Sequence, residues 1–130
     1  MRRIILDTNF LMIPGSLGVD IFSEIERVAS FAHEICVVSK TMDELTEIAS
    51  RGLGKESRSA KLALELVKAK KIVIIEGKNN LNADQSLVVE ARSGQDIVAT
   101  QDKELKRKLK ELGVSLLVLR KKKFLNMTET

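Results

Sequence analysis

The feature that most constrains this chain is an alternation of short apolar runs with amphipathic stretches. The strands predicted from these runs lie at residues 2–7, whose apolar part is 4–6, and at residues 35–38, 72–75, 97–100 and 114–119. Strands that are apolar along their whole length are buried on both faces, which is typical of a parallel sheet covered by helices on each side. The alternation therefore predicts an α/β fold, a three-layer α/β/α architecture with a central parallel sheet of about five strands.

The helices between these runs are predicted from apolar residues spaced three and four positions apart. They cover residues 19–32, 41–50, 59–70, 82–92 and 102–111. Residues 14–18 contain Pro and Gly and residues 54–58 are mostly polar, so both are predicted to be loops. With 130 residues, we expect one domain over residues 1–119 and a basic C-terminal tail over residues 120–130.

Composition excludes several classes of protein. The only cysteine, Cys36, lies in an apolar run, so we expect a buried strand residue in a reducing compartment. No apolar stretch approaches the roughly 20 residues of a spanning helix, which predicts a soluble cytoplasmic protein with no membrane contact. One histidine, His33, cannot build a zinc site or the acid–base pair of a metal-free ribonuclease, and the glycines match no phosphate-binding loop.

Four acidic residues are predicted to meet at one edge of the sheet. Asp7 and Asp102 directly follow strands, whereas Glu44 and Asp84 stand in the first turn of helices that follow strands. Open parallel sheets bind ligands beyond the carboxyl ends of their strands. Since ligands that offer only oxygen suit hard ions, the four acids predict a Mg²⁺ or Mn²⁺ site. Asp96 precedes its strand, roughly 13 Å from this edge, and is predicted to be a surface cap.

Each acid also has a structural explanation when it is considered alone. Thr41 and Glu44 have the spacing of a capping box, Asp84 would complement a helix dipole, and Asp102 would be an N-cap. For Glu44 and Asp84 the structural and functional interpretations stay equally open. Asp7 is harder to explain, because apolar residues surround it on both sides in the sequence. A partly buried carboxylate needs a cation or several donors to offset its desolvation.

Positive charge is concentrated in the C-terminal third of the chain. Between Lys103 and Lys123 nine Lys or Arg residues stand against two acids, whereas the net charge of the whole chain is +4. A cationic segment beside a carboxylate cluster fits an anionic polymer held near bound metal, and a solvated lysine-rich helix is the alternative. Four Phe residues with no Trp or Tyr make a base-stacking platform unexpected.

Four segments, taken together, resemble the PIN domain family. They share its order of motifs and its strand or helix contexts, and they are Leu6–Leu11, Asp43–Leu45, Ala83–Gln85 and Ile97–Leu105. The resemblance covers nearly the whole chain and is greatest to small archaeal PIN proteins related to the small-subunit ribosomal RNA processing nuclease. Residues 98–109 and 119–125 resemble the C-terminal half of that group. Gln85 is a departure, since many members carry a second acid there.

The resemblance implies a divalent-metal-dependent endoribonuclease that hydrolyses RNA phosphodiesters, with ribosomal RNA processing as the expected role. The implied catalytic residues, which would also hold Mg²⁺ or Mn²⁺, are Asp7, Glu44, Asp84 and Asp102. The implied supporting polar residues are Thr8, Asn9 and Thr100. The residues expected to contact the RNA backbone are Lys103, Lys106, Arg107, Arg120, Lys121, Lys122 and Lys123.

Two other functions stay open at this point. One is a toxin ribonuclease of the VapC kind, which an antitoxin would control. The other is a non-catalytic PIN module that binds RNA or supports assembly. The expected partners are accordingly RNA, chiefly precursor ribosomal RNA, and either an antitoxin or a ribosome-assembly protein. A homodimer is a further possibility that the family resemblance suggests.

Overall fold

A computed structural model describes residues 1–78 and 80–128 of the chain. In these residues six strands form one sheet in the order β3-β2-β1-β4-β5-β6. The strands are β1 (Arg2–Leu6), β2 (His33–Val38), β3 (Val73–Ile75), β4 (Ile97–Ala99), β5 (Ser115–Arg120) and β6 (Phe124–Thr128). The first five strands are parallel and β6 is antiparallel to β5. The predicted α/β architecture is confirmed, with one strand more than expected.

Helices cover both faces of this sheet. They are α1 (Thr8–Leu11), α2 (Ile13–Leu17), α3 (Ile21–Val28), α4 (Ser39–Ala49), α5 (Lys55–Ala69), α6 (Ala83–Glu90) and α7 (Lys103–Glu111). The first five helices pack on one apolar core, and α6 and α7 pack on a second core across the sheet. Within that second core Ile5 is in register with Cys36 on one side and Val98 on the other, and all three are fully buried. Among the described residues, no helix is long and apolar enough to cross a membrane.

The two segments predicted to be loops are largely helical. Pro14 stands in the first turn of α2, where its missing N–H costs no helical hydrogen bond. Gly15 lets α2 approach α5 closely, since a Cβ at this position would lie 2.6 Å from the Cα of Ser59. Helix α5 begins at Lys55, inside the other predicted loop. The prediction is wrong here because the contact between the two helices, and not local sequence preference, sets the structure.

The expected C-terminal tail is also ordered over most of its length. Residues 124–128 form β6, in which Leu125 is in register with Leu119 of β5 and is buried. The expectation of a separate tail is therefore wrong for these residues, because Leu125 contributes to the core under α3. Residues 129 and 130 of that tail lie outside the described residues.

Asp96 lies at the amino end of β4, as expected, but it is not on the surface. Its side chain is fully buried, and its two oxygens accept hydrogen bonds from the guanidinium of Arg3, Oδ2 from Nη2 at 2.6 Å and Oδ1 from Nε at 3.2 Å. Oδ2 also accepts from the backbone N–H of Arg92 at 2.9 Å. The prediction of a surface cap is wrong because Arg3, 93 residues away in sequence, neutralises the carboxylate internally.

Candidate active site

Asp7 stands where β1 ends and α1 begins. Its backbone is extended, and its Oδ1 accepts a hydrogen bond from the N–H of Thr8 at 2.8 Å, so it is the N-cap of α1. Its Oδ2 accepts from the hydroxyl of Thr100 at 2.8 Å, and its side chain is only 3% exposed. The carboxylate is therefore buried among neutral donors at the carboxyl edge of the sheet.

Asp102 is joined to Asp7 through Thr100. The backbone N–H of Asp102 donates to the Thr100 hydroxyl at 3.1 Å, while that hydroxyl donates to Asp7. Oδ1 of Asp102 accepts from the N–H of Leu105 at 2.9 Å and caps α7, so its structural role as an N-cap is confirmed. Thr100 thus links the two acids that follow β1 and β4 through its hydroxyl.

Glu44 and Asp84 are exposed and neither is used as a cap. Helix α4 begins at Ser39 after an N-cap at Val38, so Thr41 and Glu44 do not form the capping box that their spacing suggests. The capping box of α6 is made by Asn82 and Gln85, which leaves the Asp84 carboxylate out of it. The amide of Gln85 is bound to the helix end, which accounts for its place in this chain. The capping explanation for Glu44 is therefore wrong, whereas Asp84 does stand in the first turn of α6, where it complements the helix dipole as expected.

The electrostatics show that the four acids act on one another. Burial raises the pKa of Asp7 to about 6, with the Thr100 and Thr8 hydrogen bonds opposing it and the charges of Asp84 and Glu44 adding to it. Partial desolvation of the carboxylate also raises the pKa of Asp84, and the charges of Asp102 and Glu44 raise it further. Two acids of the set, Asp7 and Asp84, therefore have their pKa values raised by other members of the set.

The oxygens of these acids do not form a ready coordination sphere. Among the described residues, no group of three or more His, Cys, Asp or Glu is arranged to hold an ion. Four like charges without a cation repel one another, and the exposed side chains of Glu44 and Asp84 have the rotamer freedom to move apart or together. Asp84 and Asp102 line a common cavity, the acidic cleft, at this edge of the sheet.

The chemistry of the cleft fits a hard divalent cation. Its candidate ligands are all carboxylate oxygens, which suit Mg²⁺ or Mn²⁺. The hydroxyl of Thr8 next to Asp7 is buried and has no hydrogen-bond partner among the described residues. A buried polar atom without a partner is expected where a ligand or ordered water completes the site. Asn9 is exposed on α1 one residue further on, so only its backbone position links it to the cleft.

The cations of α7 lie on two faces of the helix. Lys103, Lys106, Arg107 and Lys110 line a groove of about 370 Å³ between α7 and β5, and Arg120 closes it. Arg107 is held by Glu104 and Glu111, and both acids raise its pKa. Charge on this groove therefore comes chiefly from the lysines and from Arg120.

Lys108 is an unexpected member of the acidic cleft. It lines a cavity of about 440 Å³ together with Asp84 and Asp102, and its charge lowers the pKa of Asp84. Its position on the helix separates it from Lys103 and the other groove lysines, because residues three and four apart share a face. Lys108 lies three residues after Leu105, which packs into the core. This spacing is the signal in the sequence that would have separated Lys108 from the groove lysines.

Lys121, Lys122 and Lys123 are exposed at the turn between β5 and β6. The N–H of Lys123 donates to the carbonyl of Arg120 at 3.0 Å and closes the turn. Since β5 is parallel to β4, this turn lies at the same edge of the sheet as Asp102. The structure therefore brings the predicted cations to the side of the molecule that carries the acids.

Comparisons with known proteins agree with this architecture. A family profile described as a PIN like domain matches residues 4–122. Ribonuclease VapC4 of Methanocaldococcus jannaschii is 37% identical over 127 residues, which is 95% of each chain. Ribonuclease VapC9 of Archaeoglobus fulgidus is 31% identical over 123 residues, covering 95% of this chain and 87% of the relative.

Solved structures show the same fold. The PIN domain endonuclease Utp24 superposes with a TM-score of 0.81 at 21% identity, over 98% of this chain and 92% of that one. VapBC2 from Rickettsia felis, bound to a DNA fragment from its promoter, gives a TM-score of 0.57 at 18% identity over 89% and 98% of the two chains. The resemblance seen in the sequence is confirmed, and the chain belongs to the PIN-like domain family.

Proposed function

We propose that this protein is a divalent-metal-dependent endoribonuclease that hydrolyses RNA phosphodiesters in the cytoplasm. The observation that carries the proposal is Asp7, a buried carboxylate whose donors are neutral and whose charged neighbours are other acids. Such a group is costly unless a cation accompanies it. The names of the two relatives, both ribonucleases, support an RNA substrate.

Mg²⁺ or Mn²⁺ would be held by Asp7, Glu44, Asp84 and Asp102. When bound, the metal would activate a water for attack and stabilise charge on the scissile phosphate. Thr100 fixes the position of the Asp7 carboxylate and of the backbone before α7 through its two hydrogen bonds. These contacts give the acids a rigid base on the two central strands.

The cations would bind the RNA backbone. Lys108, across the cleft from Asp84, is placed to contact a phosphate next to the acids. Further phosphates would lie along the groove and the turn, which carry Lys103, Lys106, Arg107, Arg120, Lys121, Lys122 and Lys123. Contacts of this kind position the strand without reading its sequence.

The biological role has two candidates with different support. A VapC-type ribonuclease controlled by an antitoxin is favoured by the relatives at 37% and 31% identity. Ribosomal RNA processing, which the C-terminal segments suggest, draws support from the fold that the chain shares with Utp24. Toxicity that a co-expressed upstream gene product relieves would establish the first role. Specific cutting of precursor ribosomal RNA, with no such toxicity, would establish the second.

The activity itself is tested by incubating a precursor small-subunit ribosomal RNA fragment and a mixed RNA pool with the protein in Mn²⁺ or Mg²⁺. Asp7→Asn should abolish cleavage, and so should EDTA with the wild type. Asp43→Asn is the matched control, because Asp43 is an exposed acid next to Glu44 and is outside the proposed site. Cleavage by folded Asp7→Asn, or cleavage in EDTA, would contradict the proposal. RNA binding without cutting would support the non-catalytic module instead.

A further inference from the structure

Phe124 differs from the other phenylalanines of the chain in its exposure. Phe10 and Phe22 are buried in the core, and Phe31 packs under the guanidinium of Arg2 at 4.7 Å, at the amino end of the strands. Phe124 is 39% exposed and stands at the start of β6, at the edge of the sheet that carries the acids. An aromatic ring is thus presented to solvent on the side of the molecule where RNA is proposed to bind.

The surroundings of Phe124 are cationic. Phe124 is in register with Arg120 across the hairpin, so the two side chains stand on the same face of the sheet. Arg120 lines the groove that also carries Lys103 and Lys106 of α7. The chain between the paired residues consists of three lysines, at positions 121–123. A ring flanked by positive charge on both sides has the two components that bind single-stranded nucleic acid, a stacking face and phosphate-binding groups.

The turn beside Phe124 places two lysines in the left-handed backbone conformation, which lysine rarely adopts. The backbone φ angles of Lys121 and Lys122 are +52° and +54°, as in a type I′ turn. Asn and Gly are the usual residues at such positions, because the Cβ of most other residues crowds the backbone in this conformation. Adjacent lysines also repel one another. Residues held against local preference are a reason to suspect function, and here they surround an exposed ring with charge.

The hairpin is held firmly to the rest of the site. On its inner side the amide of Gln101 accepts from the N–H of Leu119 at 2.7 Å and donates to the Leu119 carbonyl at 3.3 Å. On its outer side Glu24 accepts from the N–H of Leu125 at 2.9 Å, and Arg27 donates to the Leu125 carbonyl at 2.8 Å. Gln101 directly precedes Asp102, so the hairpin has a defined position relative to the acids.

We propose that Phe124 stacks on an unpaired base of a single-stranded RNA whose backbone lies on the surrounding cations. Phe124 is on β6, three positions from β1 in the sheet, which places it roughly 14 Å from the line of Asp7. A single-stranded RNA can therefore reach from the acids to the Phe124 ring within a few nucleotides. Bases in a duplex already stack on their neighbours, so the contact selects single strands. The inference rests on the proposed RNA function and adds a base-contacting residue to it.

A single stacking ring does not conflict with the low aromatic content of the chain, which makes a stacking platform of several rings unexpected. A platform of the RRM type stacks two or three bases on a sheet face. Here the cations supply most of the affinity and a single aromatic side chain adds a contact to one base. The low aromatic content of the chain is compatible with this arrangement.

The test measures binding in EDTA, so that cleavage does not interfere. A short single-stranded oligoribonucleotide is compared with an abasic chain of the same length and charge, and with a duplex, by fluorescence anisotropy. The wild type should bind the base-bearing strand about 10-fold more tightly than the abasic chain. Phe124→Leu, which keeps the apolar bulk without the ring, should lose most of this preference. Its affinity for the abasic chain and the slope of affinity against salt should be unchanged, because no phosphate contact is removed.

Leu53→Ala is the matched control, since Leu53 is also an exposed apolar side chain but lies outside the proposed surface. Thermal unfolding checks that both variants are folded. A preference for bases that survives in Phe124→Leu would overturn the inference while leaving the RNA function intact. A wild type that binds none of the three RNAs would also overturn the inference. The nuclease proposal is judged separately by cleavage in Mn²⁺: a wild type that prefers the base-bearing strand in EDTA but does not cut RNA in Mn²⁺ would leave the stacking contact supported and the nuclease proposal refuted.

Discussion

Asp7 and Asp96 are buried aspartates at opposite ends of the same sheet, and they differ in what surrounds them. Asp96 is bound by the guanidinium of Arg3 through both oxygens and by one backbone N–H. Asp7 accepts from one backbone N–H and one hydroxyl, and its pKa is raised to about 6 by burial and by neighbouring acids. The first carboxylate is neutralised within the fold, whereas the second is left with a deficit of positive charge.

The difference separates a structural role from a functional one. A buried charge that the protein itself compensates stabilises one particular arrangement of β1, β4 and α6. A buried carboxylate without a cation lowers the stability of the folded protein, and only the binding of a cation offsets this loss. The same kind of residue, equally buried, therefore marks the scaffold at one end of the sheet and the proposed site at the other.

The largest expected effect is at Asp96. Asp96→Asn removes one partner of a buried ion pair and leaves the Arg3 guanidinium without its main counter-charge, which costs about 3 kcal/mol of the free energy of unfolding. Urea unfolding at pH 7 measures this loss. Arg3 also contacts Glu90, so the loss should be at the lower end of the range for buried pairs. An Asp96→Asn variant as stable as the wild type would show that the pair does not hold the scaffold.

The same substitution at Asp7 should act in the opposite direction. Because the folded-state pKa of Asp7 is raised to about 6 from an ordinary value of 3.8, the folded state holds the proton more tightly than the unfolded state does. This contribution to stability is complete below pH 3.8 and is lost as pH rises through about 6, a difference on the order of 3 kcal/mol. In EDTA at pH 7, Asp7→Asn should therefore be more stable than the wild type.

Urea unfolding between pH 4 and pH 8 in EDTA would measure the contribution of Asp7. The wild type should lose stability across this window relative to Asp7→Asn, and the two should converge at the acid end. Parallel curves for the two proteins would show that Asp7 does not carry a raised pKa, and the contrast with Asp96 would fail.

A smaller effect is expected at Thr100. Thr100→Val removes the hydroxyl that donates to Asp7 and accepts from the N–H of Asp102, which costs about 1–2 kcal/mol at pH 7. Since that hydrogen bond lowers the pKa of Asp7, its loss should move the pH window upward. Thr100→Ser keeps the hydroxyl and should restore both stability and the window. If Val and Ser behaved alike, the hydroxyl would have no part in holding the site.

The parallel sheet, and the position of Asp7 and Asp102 at its carboxyl edge, follow from short-range patterns in the sequence. Apolar runs that end in a carboxylate are visible at Asp7 and Asp102, and the rule that ligands bind at the carboxyl ends of strands then places the site. Features that depend on distant contacts were not predictable in this way. The pairing of Asp96 with Arg3, the close approach of Gly15 to α5 and the return of the chain as β6 all depend on partners that lie far away in the sequence.

The candidate site divides in the same manner. Its four acids could be proposed from the sequence because each one follows a predicted strand directly or stands in the first turn of the helix after a strand. The cleft face of Lys108 and the exposure of Phe124 depend on how α7 and the hairpin pack against the sheet. Lysine-rich sequence shows that a surface is cationic, but the packing decides which lysines face the acids.

The most direct test of the account is thermal unfolding of the wild type and of Asp7→Asn at pH 7, in EDTA and in excess Mn²⁺. A ligand that binds only the folded state raises the unfolding temperature, so Mn²⁺ should stabilise the wild type and have little effect on the variant. In EDTA the variant should unfold at the higher temperature, and in Mn²⁺ the order should reverse. A wild type that Mn²⁺ does not stabilise, or an order that stays the same in both conditions, would contradict the claim that Asp7 is buried for a metal ion.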